Sequence, residues 1–420
     1  MIADGAGDGP IWTPSVERVE ASRIAAFVAR VEVETGLTLP DYEALHHWSI
    51  ECPEQFWPLV WHFCGISASR TWGRVIDRPD AMPGARWFPG ARLNFAENLL
   101  RCAAGRADAP ALIFRCENGE RSESSFRQLG AEVAAFADWM RAVGVASGDR
   151  VAALMPNRPE TIVAMLATAS IGAVWSSTSP DFGVDGVLDR FAQIEPKVLI
   201  GIDGYHYAGK RIDVRRKLAR VAERLPTLEH LVVVPWLAHE RPVDGSIGGR
   251  VPVDTYPDLL RRHAGAPPHF EQLPFDHPLY ILFSSGTTGR PKCIVHGAGG
   301  TLIQHLKELV LHTDLGPGDR LFYFTTCGWM MWNWMASGLA AGATLVLFDG
   351  SPFHPGPEVL WDLAADEAVT VFGTSAKYLS ALEKAGVEPA RTHRLDALRT
   401  VLSTGSPLAP ESFDYVYRSI

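Results

Sequence analysis

No two of the six cysteines (Cys52, Cys64, Cys102, Cys116, Cys293 and Cys327) stand at C-x-x-C spacing. That argues against thiol-based zinc and redox motifs. In a chain of 420 residues it also argues against a disulfide framework, so reduced thiols in a cytoplasmic protein are expected. Long apolar runs are missing as well. The best stretch, Thr161 to Trp175, is too short to span a bilayer and is broken by Gly172, so no membrane partner is expected. Met1 to Pro10 is rich in Gly and Asp and lacks the basic and apolar regions of a secretory leader. Basic charge is in deficit: 39 Lys and Arg against 48 Asp and Glu give a net charge of −9. Duplex nucleic acid is therefore not expected as the main partner, although a local basic pocket for a small anion stays open. Apolar residues at 47% and charged residues at 21% exclude a disordered chain, a collagen and a coiled coil. At roughly 150 residues per domain, the length suggests about three domain-sized units, or one large α/β body with attachments.

The first hundred residues read as a helical cap, with helices near Ser22 to Thr35, Asp41 to Trp48 and Pro53 to Cys64. Six tryptophans, Trp12, Trp48, Trp57, Trp61, Trp72 and Trp87, would pack this cap onto a larger body. From Ala109 the pattern alternates. Ala111 to Arg115 and Glu120 to Ser124 read as a hairpin about Asn118-Gly119, followed by a helix over Phe126 to Val143. Strands are expected at Arg150 to Met155, Ala173 to Ser177, Lys197 to Ile202 and His230 to Val234. Helices are expected between them, one capped by Asn157 and one basic, over Arg211 to Arg224. Pro235 to Pro274 breaks the rhythm with seven prolines and reads as a surface connection around one short helix near Asp258 to His263. Strands then recur near Leu279 to Phe283, Leu321 to Phe324, Ala343 to Phe348, Val369 to Phe372 and Leu398 to Ser403. Short apolar runs alternating with helices predict βαβ units and mostly parallel sheets, in two successive α/β halves at roughly 106–240 and 275–420.

The most informative segment is Leu279 to Lys292, LYILFSSGTTGRPK. A buried strand runs into Ser284 and Ser285, then Gly286, Thr287, Thr288, Gly289, Arg290, Pro291 and Lys292. Two glycines let backbone N–H groups approach an anion, four hydroxyls add donors, and Arg290 and Lys292 add positive charge. This is not a Walker A loop, because only two residues separate the glycines and Lys292 follows Pro291. A polar surface loop is the plain alternative, but the combination of buried strand, glycines, hydroxyls and a Pro-Lys end points to phosphate. His305 and His312, seven apart on one helix face, have no third ligand in view, so no metal site is expected. Ser285 lacks the G-x-S-x-G setting of a nucleophile.

YILFSSGTTGRPK resembles the signature phosphate loop of the adenylate-forming superfamily, which includes acyl-CoA synthetases, luciferases and peptide-synthetase adenylation domains. The resemblance implies that Ser284, Ser285, Gly286, Thr287, Thr288, Gly289, Arg290 and Lys292 hold ATP phosphates, with Lys292 and Thr288 closest to the chemistry. Trp87 to Leu100, WFPGARLNFAENLL, resembles the N-terminal segment of the acetyl-CoA synthetase branch. By position in that branch, Tyr207 and Lys210 would meet coenzyme A, and Gly405, Ser406 and Pro407 would meet adenine. Trp329, Met330, Met331, Asn333 and Thr404 would form the acyl pocket. Met330, Met331 and Trp332 stand where the acetate enzymes carry small residues, which implies a longer acid, acetoacetate, with Asn333 and Thr404 as donors to its ketone. Acetate, propionate or another short acid is the alternative within the family, and a non-catalytic nucleotide-binding protein is the alternative outside it. ATP, Mg2+ and coenzyme A are the implied cofactor and co-substrates, in a monomer or weak homo-oligomer.

The fold implied is the large N-terminal domain of the superfamily: α/β, two mostly parallel βαβ sheet subdomains, and a helical N-terminal cap over 1–105 ahead of an adenylation domain over 106–420. Because the chain stops at Ile420, the expectation is an N-terminal portion with its C-terminal domain absent, together with the magnesium carboxylate motif and acyl-adenylate lysine carried there. Poor turnover or none is expected of it.

Overall fold

In the computed structural model, residues 10–101, 105–237, 245–284 and 289–420 are described. The N-terminal cap is helical over Arg23–Thr35, Tyr42–Glu51 and Pro53–Phe63. The first two helices begin where a side chain satisfies an otherwise orphan N–H: Ser22 accepts from Ala25 and Asp41 from Ala44. The cap buries aromatic rings against the body. Trp61 lies 4.9 Å from Trp72 and 5.1 Å from Phe88, and Phe88 lies 5.0 Å from Phe275. Phe275 lies just ahead of the strand Pro278–Ser284, which leads to the candidate phosphate loop. Its ring also leaves no room for a Cβ on Gly299, so cap, strand and following helix pack as one layer.

Thirteen strands build two sheets. They are β1 (Pro110–Cys116), β2 (Arg121–Ser125), β3 (Arg150–Leu154), β4 (Val174–Thr178), β5 (Val198–Ile202), β6 (His230–Val234) and β7 (Val253–Thr255). Then follow β8 (Pro278–Ser284), β9 (Lys292–Gly297), β10 (Arg320–Tyr323), β11 (Thr344–Asp349), β12 (Val371–Ser375) and β13 (Thr400–Thr404). The first sheet runs β7-β6-β5-β3-β4-β8-β9 and the second β13-β12-β10-β11-β1-β2. Every pairing is parallel except β8 with β9 and β1 with β2. β4 and β5 are buried from end to end, as strands covered on both faces by helices must be.

The two sheets do not follow one another along the chain. β1 and β2, early in the sequence, close the edge of the second sheet, while β8 and β9 join the first. An apolar run announces a strand but not its partner, so the expected successive halves are replaced by sheets that exchange strands. Three local readings also change. Lys210–Asp213 is a strand paired with Gly204–Tyr207, and the basic helix begins only at Arg215. Asn157 does not cap the helix Pro159–Ser170. Arg158 holds the cap position without a side-chain bond, and Asn157 instead accepts from Trp332 Nε1 at 2.8 Å. The helix Ala298–Leu306 loosens into a π-turn over Lys307–His312, leaving His305 buried and His312 exposed rather than on one face. Within Pro235 to Pro274, beside the expected helix at Tyr256–Arg262, β7 adds to the edge of the first sheet.

Candidate functional site

The segment read as a phosphate loop joins two antiparallel strands, β8 and β9. β8 leads out of the buried sheet, and β9 returns along its edge with Ser284 opposite Lys292. Ser285, Gly286, Thr287 and Thr288 lie outside the described residues. Gly289 has φ +121°, a conformation only glycine adopts readily. Arg290 and Lys292 are both exposed. The return strand is steadied from the neighbouring helix Val184–Ile194, where Gln193 Nε2 donates to the Pro291 carbonyl at 2.9 Å. Neither that return strand nor Gln193 was signalled by the sequence pattern, because Cys293, Ile294 and Val295 stand in a row with no apolar alternation.

The C-terminal ends of the parallel strands set the floor beside this turn. Ser176 Oγ donates to the Ile281 carbonyl of β8 at 2.8 Å, and Ser177 Oγ to the Cys327 carbonyl at 2.7 Å. Cys327 Sγ in turn donates to the Met155 carbonyl at 2.8 Å, and burial pushes its thiol up to about 12, so it stays protonated. These contacts press the segment from Cys327 against the ends of β3 and β4. Trp329 then caps the helix Met330–Ala336 with its side chain 67% exposed, which places it outside the core. Met330 and Met331 are half-buried and pack on the core, while Trp332 and Met335 are fully inside it. Asn333 is 1% exposed; its Nδ2 donates to the Trp329 carbonyl at 3.3 Å and its Oδ1 has no partner. Thr404, at the end of β13, is exposed.

Gly405 follows with φ +92°, and Ser406 and Pro407 line a groove of about 740 Å³ with Trp12, Val401, Phe413 and Tyr417. Its apolar, aromatic walls suit a flat ring. Tyr207 and Lys210 stand directly opposite each other across the tip of the Gly204–Asp213 hairpin, both exposed. The basic run beyond them is largely engaged in the fold: Arg211 donates to the Leu237 carbonyl, Arg215 to Asp213 and Lys217 to the Pro180 carbonyl. One further titratable group was missed. Asp349, at the end of β11, has its carboxyl raised from 3.8 to about 7. Burial is the main cause, Arg158 opposes it, and Asp181 and Glu117 add to it. Among the described residues no three His, Cys, Asp or Glu side chains come together in a group that could hold a metal ion. Among them, too, no helix is long and apolar enough to cross a membrane.

A family model described as AMP-binding enzyme matches residues 99–418, and one described as Acetyl-coenzyme A synthetase N-terminus matches residues 42–99. Acetoacetyl-coenzyme A synthetase of Rhizobium meliloti is 54% identical over 413 residues, covering 98% of this chain and 62% of that protein. Acetoacetyl-CoA synthetase of Rattus norvegicus is 48% identical over 416 residues, covering 98% and 61%. The solved structure of Acetoacetyl-CoA Synthetase from Streptomyces lividans superposes with a TM-score of 0.92 at 45% identity, covering 97% of this chain and 62% of that one. The chain thus spans about three fifths of the length of the relatives it matches. The α/β class stands. The further expectation, of an N-terminal portion with its C-terminal domain and catalytic motifs absent, is withdrawn: the match takes in 97–98% of this chain, and the point at which a sequence stops says nothing about domains.

Proposed function

We propose, from the premise that this chain belongs to the AMP-binding enzyme family, that it joins acetoacetate to coenzyme A with ATP as the driving reagent. A carboxylate oxygen of the acid attacks the α-phosphorus of ATP. The bond to the bridging oxygen breaks, pyrophosphate leaves, and acetoacetyl-AMP forms. The thiol of coenzyme A, losing its proton, then attacks the acyl carbon, and AMP departs with the electron pair of the broken C–O bond.

Adenylation asks the protein mainly to hold the carboxylate in line and to stabilise charge on the leaving pyrophosphate. In this reading the turn from Ser284 to Lys292 takes the β- and γ-phosphates, through N–H groups, hydroxyls and the two exposed cations. A magnesium ion on the ATP phosphates would add charge stabilisation for the leaving pyrophosphate. Ser406 and Pro407 border the adenine, and Trp329, Met330 and Met331 shape the acyl slot. Of the two candidate donors to the ketone, Thr404 is the one open to substrate, because Thr404 is exposed and Asn333 is buried. Tyr207 and Lys210 meet the coenzyme A phosphates. The observation that supports this most is the hairpin itself: Ser284 opposite Lys292 places hydroxyl and ammonium on either side of one glycine-containing turn, beside the carboxyl ends of parallel strands.

The test is ATP–pyrophosphate exchange with a panel of acids. Exchange driven by acetoacetate well above acetate and propionate is expected. A preference for acetate would move the reading to another short acid. Exchange with none of them, in a chain that still binds ATP by calorimetry, would favour a non-catalytic nucleotide-binding role.

A further inference from the structure

We infer that Glu117 is a positioning residue that holds the coenzyme A turn in place from the opposite sheet. The inference rests on the reading of Tyr207 and Lys210 given above. Between those two residues the chain reverses through Ala208 and Gly209, both left-handed, at φ +51° and +74°. Two successive residues in that region turn adjacent N–H groups toward one side, which is the geometry of an anion nest. The nest is already filled. One carboxylate oxygen of Glu117 accepts from Ala208 N–H at 2.9 Å and the other from Gly209 N–H at 2.9 Å. The first of these oxygens also accepts from Ser351 N–H at 2.8 Å.

Glu117 belongs to the other sheet. It follows β1, and its own N–H donates to the Asp349 carbonyl at 3.2 Å, at the end of β11. Gly350, at φ +146°, lets the Glu117 side chain pass: a Cβ there would come within 2.7 Å of it. On the far side of the turn, a Cβ on Gly209 would come within 2.9 Å of the His354 ring. The tip of the hairpin is therefore held between a carboxylate and an imidazole, both from the second sheet's loops.

The alternation of the hairpin decides what this leaves for a ligand. Tyr207 pairs with Lys210 and Tyr205 with Ile212 on one face, while His206 and Arg211 share the other, where His206 meets Trp236 at 5.0 Å. With the backbone N–H groups taken, a phosphate must be met by the side chains of Tyr207 and Lys210. Their placement depends on how firmly Glu117 fixes the turn.

Glu117→Ala and Glu117→Gln separate this from a general packing role. Amide exchange at Ala208 and Gly209, read residue by residue, should quicken about tenfold or more in Glu117→Ala, and less in Glu117→Gln, which keeps one acceptor oxygen. Coenzyme A should bind about tenfold more weakly to Glu117→Ala. ATP–pyrophosphate exchange, which needs no coenzyme A, should be unchanged. If Glu117→Ala does not fold, Glu117→Gln carries the test with an intermediate shift in both amide exchange and affinity. Unaltered amide exchange, or coenzyme A binding as tight as in the parent, would overturn the inference while leaving adenylation intact. A parent chain that fails to bind coenzyme A would overturn it too, whereas loss of pyrophosphate exchange in the parent would count against the adenylation reading instead.

Discussion

Asn94 offers the sharpest stability test, because one buried amide joins three parts of the fold. It is 0% exposed, and its Oδ1 accepts from Glu97 N–H at 3.1 Å, capping the helix Phe95–Leu100. Its Nδ2 faces the carbonyls of Ala169 at 3.0 Å, Ser170 at 3.1 Å and Glu271 at 2.9 Å. Asn94→Ala removes the cap, worth about 1 kcal/mol. It also leaves the Glu271 carbonyl without its donor, at about 1 kcal/mol, while the Ala169 and Ser170 carbonyls keep backbone donors from Gly172 and Glu271. The sum is a loss of about 2 kcal/mol. Asn94→Asp is the diagnostic partner. It keeps the capping oxygen but turns a second oxygen toward three carbonyls, so the folded state should favour the protonated acid and raise its pKa. Stability tied to that proton is present below the unfolded value, about 4, and is lost as pH rises through the folded one. Urea denaturation at pH 4.5 and pH 8 reads both effects. Asn94→Asp should lie near Asn94→Ala at the lower pH and below it at the higher. A loss under about 1 kcal/mol for Asn94→Ala, or an Asn94→Asp more stable than Asn94→Ala at pH 8, would refute the reasoning.

Asp349→Asn should stabilise the fold above pH 7 and lose that advantage below pH 4. The parent carboxyl, raised from 3.8 to about 7, has stability that is full below the lower value and falls as pH rises through the upper. At about 1.4 kcal/mol per pKa unit the ceiling is about 4 kcal/mol, and partial exposure of the residue trims this to about 2; thermal melts across pH check it. Glu367→Ala should cost about 2 kcal/mol, less than a fully buried pair because Arg121 is part-exposed. Its carboxylate accepts from Arg115 at 2.8 Å and Arg121 at 2.9 and 3.0 Å. Burial raises its pKa, but the two guanidiniums together bring it below the ordinary value, so the parent should lose this stability as pH falls through the carboxylate range in a denaturation series. Under the proposed function, Lys292→Ala should lower ATP–pyrophosphate exchange about a hundredfold by removing positive charge from the leaving group, with little change in melting temperature, since the side chain is exposed.

Much of the frame was legible because its causes are local. The apolar runs at β3, β5 and β6 read as strands and are strands, and the helical patterns from Ser22 and Asp41 placed two cap helices where they form. What was not legible depends on partners distant in sequence. Nothing in Pro110–Cys116 says that it pairs with Thr344–Asp349. Arg211 to Asp213 was read as the start of the basic helix because its charges run on into Arg215 to Lys217, and only pairing with Gly204–Tyr207 makes Lys210–Asp213 a strand. At the candidate site the residue types of the phosphate loop stood out. The return strand and its support from Gln193 did not, and nothing in the sequence singled out Glu117 beside the Asn-Gly turn.

The central claim, that the turn between Ser284 and Lys292 grips the polyphosphate of ATP, is tested most directly by a crystal of this protein soaked with a non-hydrolysable ATP analogue. The account predicts β- and γ-phosphate oxygens within hydrogen-bonding distance of Lys292 Nζ and of backbone N–H groups around Gly289. A triphosphate lying elsewhere, with Lys292 and Arg290 turned to solvent, would contradict it.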